Sequence, residues 1–237
     1  MLVAAYVDDI LIISKSRDDI KMIGENLSKV FSIRNLGDVN CCLGIEFIRR
    51  KSGYSIHQRG FILDVIARFR MTECKTVSIP MDVSTKLSRS TSMDDKEDNK
   101  VPYRELIGSL MYIAMGTRPD ITHAVSYLSY YNDCHRHAHW IAAKRVLRYL
   151  KATLDLAITY ELTDKQPLVG FVDADWGNCP DDRRSYTGYA FILVGSCITW
   201  ESRKQRTVAL SSTEAEYIGI SDAFKEAIYL RKFLKEL

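Results

Sequence analysis

The sequence has no marked excess of either charge. Lys+Arg total 33 and Asp+Glu total 30 across 237 residues, a net of +3. Bulk attraction to a polyanion is therefore excluded, and any nucleic-acid contact must come from local patches. Long hydrophobic runs are also absent. The longest stretches without charge, Leu106–Thr117 and Tyr186–Trp200, are dotted with polar residues. They fall short of the roughly 20 apolar residues that a membrane-spanning helix needs. No basic region opens the chain, and Asp8 and Asp9 arrive almost at once, so the N-terminus does not read as a signal peptide. There is no CxxC pair among Cys41, Cys42, Cys74, Cys134, Cys179 and Cys197. Their spacing fits neither a zinc ribbon nor a disulfide scaffold, and points to reduced, mostly buried thiols in an intracellular, reducing compartment. Internal repeats, low-complexity tracts, a Gly-rich phosphate loop and a recoverable Ser-His-Asp arrangement are missing too. What is present is ordinary globular composition. At 46% hydrophobic and 27% charged residues the chain is not disordered. Its length suits between one and two domains.

Periodicity predicts a mixed α/β (α+β) chain. Leu2–Val7 and Ile10–Ile13 are apolar runs around Asp8-Asp9, which reads as a hairpin with a two-residue acidic break. Its abrupt start leads us to expect further structure upstream. Ile20, Ile23, Leu27 and Val30 mark an amphipathic helix over Asp18–Phe31. Val39–Arg49 and Tyr54–His57 read as strands around a Ser52-Gly53 turn, and Arg59–Arg70 as a helix with Ile62, Val65, Ile66 and Phe69 along one side. Asp82–Lys100, rich in Ser, Thr, Asp and Lys, reads as a linker or surface loop. Three helices are then expected: Pro102–Gly116, one opened by Pro119 with Ile121, Ala124, Val125 and Leu128 inward, and His139–Thr153. Beyond Pro167 the period changes to two. Leu168–Asp173, Tyr186–Val194 and Ser196–Trp200 read as strands, with a tight turn at Gly195-Ser196, and Thr213–Leu237 as a long helix with a Ser211/Glu214 capping box.

Two places carry acids that ordinary folding does not explain. Adjacent Asp8 and Asp9 at a hairpin tip repel each other, and a hard divalent cation such as Mg²⁺ would relieve that. Asp is also a common turn residue, so the pair alone favours the plain reading. The second place is the C-terminal region. Phe171, Asp173 and Asp175 alternate on one strand face. Glu216 shares a helical stripe with Ile220, Ala223, Ala227, Leu230 and Leu234, whereas Glu214 aligns with Ile218, Ser221 and Lys225 and has a capping role. An acid on an inward stripe is costly unless paired or metal-bound, so Glu216 is the stronger candidate. Asp173 and Glu216 could meet at a sheet edge to hold Mg²⁺ for phosphodiester hydrolysis. Acids at helix N-termini are equally explained by the helix dipole.

Other signals are weaker. Of His135, His137 and His139, His135 and His139 share a helix face, without the glutamate of a zinc-protease motif, and packing explains them better than zinc. Lys144, Arg145, Arg148 and Lys151, and separately Arg203, Lys204 and Arg206, could follow a phosphate backbone or simply form solvated faces. Arg183 and Arg184 beside Asp181 and Asp182 fit salt bridges as well as substrate contacts. Tyr127, Tyr130 and Tyr131 fit helix packing better than base stacking.

Read together, these strings resemble the C-terminal part of the Pol polyprotein of copia-type LTR retrotransposons, over the whole chain. Tyr6-Val7-Asp8-Asp9 followed by Ile10-Leu11-Ile12 resembles the YVDD hairpin of the reverse-transcriptase palm, and Leu43-Gly44-Ile45 a small motif downstream of it. Tyr103–Tyr112, Thr117–Ile121, His139-Trp140 and Leu147–Lys151 resemble the segment between polymerase and RNase H. Asp173-Ala174-Asp175-Trp176, Asp182–Ser185 and Ser211–Tyr217 resemble the start of the RNase H domain.

The resemblance implies a reverse-transcriptase palm and thumb-like remnant over 1–80, a linker over 81–101, a helical connection over 102–165 and an incomplete RNase H-like domain over 166–237. It implies that Asp8 and Asp9 are a polymerase carboxylate pair, with Asp8 the direct ligand, and that Asp173 and Glu216 are the first two nuclease carboxylates. Mg²⁺ is the implied cofactor, with Mn²⁺ as the alternative ion. A template-primer or RNA–DNA hybrid is the implied partner, with the rest of a Pol polyprotein, and it favours phosphate contact by Lys144, Arg148 and Lys151. The palm's other metal-binding Asp should lie upstream and the later nuclease carboxylates downstream. Each site is thus expected to be half present, and the isolated chain to lack polymerase and efficient nuclease activity. A non-catalytic nucleic-acid-binding module and a poorly folding pseudogene product are the alternatives.

Overall fold

Apolar residues in two short runs form the first hairpin, β1 (Leu2–Tyr6) and β2 (Asp9–Ile13), in a computed structural model that describes residues 1–82, 85, 87–89, 101–161 and 167–237. Tyr6 pairs with Asp9, so the turn is Val7-Asp8 and not the expected Asp8-Asp9. Val7 takes a left-handed backbone, φ 51°, which is strained for a β-branched side chain. Helix α1 (Arg17–Ser28) follows, capped by Ser16, whose hydroxyl accepts the Asp18 amide at 3.2 Å. Helix α1 has the expected amphipathic pattern, yet no residue of the hairpin or of α1 is buried.

The expected strand over Val39–Arg49 is broken in two. β3 (Cys41–Cys42) and β4 (Ile45–Arg50) are joined by Leu43-Gly44, with φ of 52° and 70° and Cys42 opposite Ile45. Two consecutive left-handed residues are the backbone of a tight type I′ hairpin turn. The Tyr112 hydroxyl donates to the Leu43 carbonyl and fixes this turn to the helical layer. β5 (Gly53–His57) pairs with β4, and α2 (Arg59–Arg68) then buries Ile62, Val65 and Ile66, as the periodicity predicts.

The helical layer comprises α3 (Tyr103–Gly116), a 3-10 turn (Pro119–Ile121), α4 (Thr122–Ser129) and α5 (His137–Ala152). Pro119 opens the 3-10 turn and not the α-helix itself. Leu106, Leu110, Ile113, Ile121, Leu128, Leu147 and Leu150 are fully buried in one core, which also takes in α2 residues, Cys179 and Tyr186. Arg118 is buried within it. Its guanidinium donates to both Asp120 carboxylate oxygens (2.9 and 2.6 Å) and to Thr153 Oγ1 and its carbonyl (2.6 and 3.1 Å). Every charged contact of this arginine is thus supplied by protein, which a buried cation requires.

A strand the periodicity did not reveal, β6 (Ile158–Glu161), pairs antiparallel with β5. It completes a sheet of order β3-β4-β5-β6, so the chain returns from the helices to the sheet begun near residue 41. Tyr160 also donates to the Cys197 carbonyl at 2.7 Å. The last sheet is β7 (Val169–Ala174), β8 (Tyr186–Leu193) and β9 (Ser196–Lys204), all antiparallel. The β8–β9 turn is Val194-Gly195, φ 54° and 79°, one residue before the expected turn.

Helix α6 (Ser212–Glu236) lies across β7 and β8. Ser211 accepts the Glu214 amide at 3.1 Å, and the Glu214 carboxylate accepts the Leu210 amide at 2.7 Å. Its buried residues are Ala215, Gly219, Ala223 and Leu230. This corrects the expected inward stripe through Glu216 and Ile220, and Ile220 is 45% exposed. The cause is residue size. A Cβ at Gly219 would sit 3.3 and 3.4 Å from Thr187 and Val172 methyls, so the small-residue side is what lets the helix approach the sheet.

The expected linker over 81–101 falls mostly outside the described residues. Within it, Leu87 is buried, and its carbonyl accepts the Tyr127 and Tyr131 hydroxyls at 3.1 and 2.7 Å. Among the described residues no helix is long and apolar enough to cross a membrane.

Candidate functional site

The first pair of acids ends a hairpin that pairing rules fully account for. Asp8 occupies the turn and Asp9 the first rung of β2, and both are exposed. The tip adjoins the β3–β4 turn. Burial, then the Asp9 charge, push the Cys42 thiol up, and burial, then Cys41 and Tyr6, do the same for the Tyr112 hydroxyl. Neither Asp8 nor Asp9 has an ion-pair partner among the described residues.

The second pair is set at the corner where β7 ends and α6 begins. Gly219 packs on Val172 and Thr187, and Gln205 donates from Nε2 to Thr187 Oγ1 and to the Ala215 carbonyl, both at 2.9 Å. The first turns of α6 are therefore fixed over the end of β7. Asp173 lies between Val172 and Ala174, is exposed, and by strand alternation faces away from the side that receives α6. Glu216 is half-buried beside Ala215, at the start of the second turn. The two acids share a corner and enter it from different faces. Asp175, the third acid of that string, has a structural role: its carboxylate accepts the Tyr186 amide. Asp222 pairs with Arg203 at 2.6 Å and Lys225 at 3.0 Å. Burial works against its charge, yet those cations hold its carboxyl below the usual range.

The basic candidates are partly engaged already. Arg148 donates to the Lys75 carbonyl at 2.6 Å, and Lys151 to the Thr72 and Cys74 carbonyls at 2.5 and 2.9 Å. They fasten the segment after α2 to α5. Lys144 lies over the Trp140 ring at 5.5 Å. Nothing local in the sequence signals these carbonyl contacts, since the partners are more than 70 residues apart. In the other basic group, Arg203 is bound to Asp222, while Lys204 pairs with Asp182 at 2.8 Å and lies 3.5 Å over the Tyr130 ring. Arg206 is exposed. Of the histidines, His135 stacks on Tyr103 at 4.6 Å, and His139 accepts the Arg136 amide at 3.0 Å.

Each acidic place offers two hard oxygen donors. Among the described residues no group of three or more His, Cys, Asp or Glu side chains gathers to hold a metal. Mg²⁺ is commonly held through one or two carboxylates together with waters and substrate phosphates, so the donor chemistry fits a metal that arrives with a phosphodiester.

Residues 1–83 match the family described as reverse transcriptase (RNA-dependent DNA polymerase). The chain is 39% identical, over its whole length, to 18% of the retrovirus-related Pol polyprotein from transposon TNT 1-94 of Nicotiana tabacum. It is 39% identical, over 98% of its length, to 16% of the corresponding polyprotein from transposon RE2 of Arabidopsis thaliana. It also covers 73% of a Saccharomyces cerevisiae protein assigned to transposon Ty5-1, at 31% identity. The chain thus spans less than a fifth of the Pol polyproteins that it matches. No solved structure matches it. The chain belongs to the Pol polyprotein family of copia-type retrotransposons, and its first third belongs to the reverse-transcriptase part of that family.

Proposed function

We propose that the chain supplies nucleic-acid-handling segments of a retrotransposon reverse transcriptase: a polymerase carboxylate hairpin, a helical connection, and the opening part of an RNase H-like unit. One observation carries this reading. Inside the segment that matches reverse transcriptases, Tyr6-Val7-Asp8-Asp9 closes a two-stranded hairpin and leaves both carboxylates exposed at its tip. Asp8, with Asp9 beside it, would hold Mg²⁺ or Mn²⁺ there. Asp173, on the sheet face away from α6, and Glu216, on α6 itself, would each bring one carboxylate to a cation held between them by substrate phosphate and water at the β7–α6 corner. When bound, such a cation activates an attacking hydroxyl and stabilises a leaving phosphate oxygen. The hairpin's part is to hold two acids against a primer end, and the corner's part is to hold two acids against the RNA strand of a hybrid. With two acids at each place, we assign the remaining ligands to other parts of a Pol polyprotein. All six cysteines are unpaired, which suits a reducing, intracellular setting.

A non-catalytic binding module is the second reading, favoured by the same shortage of donors. Both readings are tested by one set of measurements on the purified chain. It should bind an RNA–DNA hybrid with affinity that falls as salt rises. It should extend no primer in Mg²⁺ or Mn²⁺ and cleave the hybrid no faster than background. Clear DNA synthesis would refute the incompleteness of the polymerase site, and absence of salt-dependent binding would refute nucleic-acid handling altogether.

A further inference from the structure

The loop between β7 and β8 and the loop between β9 and α6 meet at a single aromatic side chain. Trp176 donates its indole N–H to the Ala209 carbonyl at 3.0 Å, yet the residue is 57% exposed. A tryptophan whose one polar atom is satisfied and whose ring still faces solvent is poorly explained by packing. Its loop is braced from within. The Asp175 amide donates to the Tyr186 carbonyl at 3.0 Å while its carboxylate accepts the Tyr186 amide, the Gly177 amide donates to Ser185 Oγ at 3.0 Å, and the Arg183 amide donates to the Cys179 carbonyl at 2.9 Å. Arg183 has a left-handed backbone, φ 56°, and its guanidinium reaches back to Gly177, 3.4 Å from where a Cβ there would lie. The neighbouring charges are already matched: Arg184 and Lys204 pair with Asp182, and Asp181 accepts the Arg89 amide. Arg183 is exposed and has no carboxylate partner among the described residues. A fixed aromatic face thus stands one residue from Gly177, against which the unneutralised Arg183 guanidinium lies, on the loop that follows Asp173.

We infer that Trp176 and Arg183 form a subsite for single-stranded nucleic acid, with an unpaired base stacked on the Trp176 ring and its phosphate on Arg183. The inference rests on the nucleic-acid reading above and adds to it residues that the carboxylates do not include. Stacking on an aromatic face is tolerant of base identity, and the guanidinium supplies the charge that follows the backbone.

The test is binding of a short fluorescent oligothymidylate, and of a blunt RNA–DNA hybrid, to the whole chain by anisotropy at several salt concentrations. Trp176→Ala should weaken oligothymidylate binding about tenfold. Arg183→Gln should lower the magnitude of the salt slope by about 0.7. Oligothymidylate should quench the fluorescence of the wild-type chain, and Trp176→Phe, which keeps Trp140 and Trp200, should abolish that quench. Melting curves check folding, and if Trp176→Ala does not fold, the quench decides. Unchanged affinity in a folded Trp176→Ala, or an undiminished quench in Trp176→Phe, overturns the subsite. A chain that binds the blunt hybrid and not the single strand overturns the subsite and leaves the wider reading standing. A chain that binds neither overturns both.

Discussion

His139 shows how a side chain's chemistry follows from its neighbours. It is 2% exposed, packs against the Tyr131 ring at 4.2 Å, and accepts the Arg136 amide. Burial first, then the charges of His135 and Arg136, push its pKa from 6.5 down to about 4. Unfolding therefore takes up a proton between those values. The stability His139 contributes is complete above about 6.5 and is lost as pH falls toward about 4. The urea midpoint of the wild-type chain should fall between pH 7 and pH 5, and that of His139→Gln should fall less. Equal falls would sink the assignment. Asp120 is a separable case. Burial raises its pKa, but the Arg118 bonds and charge outweigh this and hold it below the usual carboxylate range, so its contribution is lost at more acid pH. In the sequence, Arg118 and Asp120 are visible as a string, but their partners Thr153 and Tyr149, some 30 residues away, are not.

At the scale of elements, turns and small residues decide geometry that apolar periodicity leaves open. Hydrophobic alternation places β8 and β9, but the turn between them uses Val194 at φ 54°. Asn accepts that backbone with less strain, and Asn-Gly is the preferred type I′ pair. Val194→Asn should stabilise the chain by about 1 kcal/mol in chemical denaturation. A loss of stability would show that the Val194 side chain has packing value that the turn geometry hides. On α6, counting large apolar residues directs attention to Ile220 and Leu234. The sheet receives Ala215 and Gly219 in place of Glu216 and Ile220, beside Ala223 and Leu230 of the expected stripe. Gly219→Val should cost about 1–3 kcal/mol, because the added methyls meet Thr187 and Val172. A neutral result would mean that the helix shifts outward freely.

For the whole molecule, burial is unevenly spread. α2 to α5, β5, β6 and part of the last sheet share pairing or core, while β1, β2 and α1 bury nothing. Amide exchange should therefore be fast throughout residues 2–28 and slowest in α3 and α5. Comparable protection in the first hairpin would contradict this division. Asp8 and Asp9, however well paired their strands, therefore sit on a part of the chain with little support of its own.

Residue type and local period were sufficient for most helices and strands, for the α2 core face, and for the strings that mark a Pol polyprotein. They also singled out Asp8, Asp9, Asp173 and Glu216 by type, because acids beside apolar runs stand out in any fold. Tertiary structure alone decided that β6 joins β5, that α6 turns its small residues to the sheet, that Arg148 and Lys151 are tied to carbonyls near residue 74, and that Asp173 and Glu216 enter one corner from opposite sides. These depend on which surfaces meet across long stretches of chain, and on how closely backbones can approach, which no periodicity within a single element encodes.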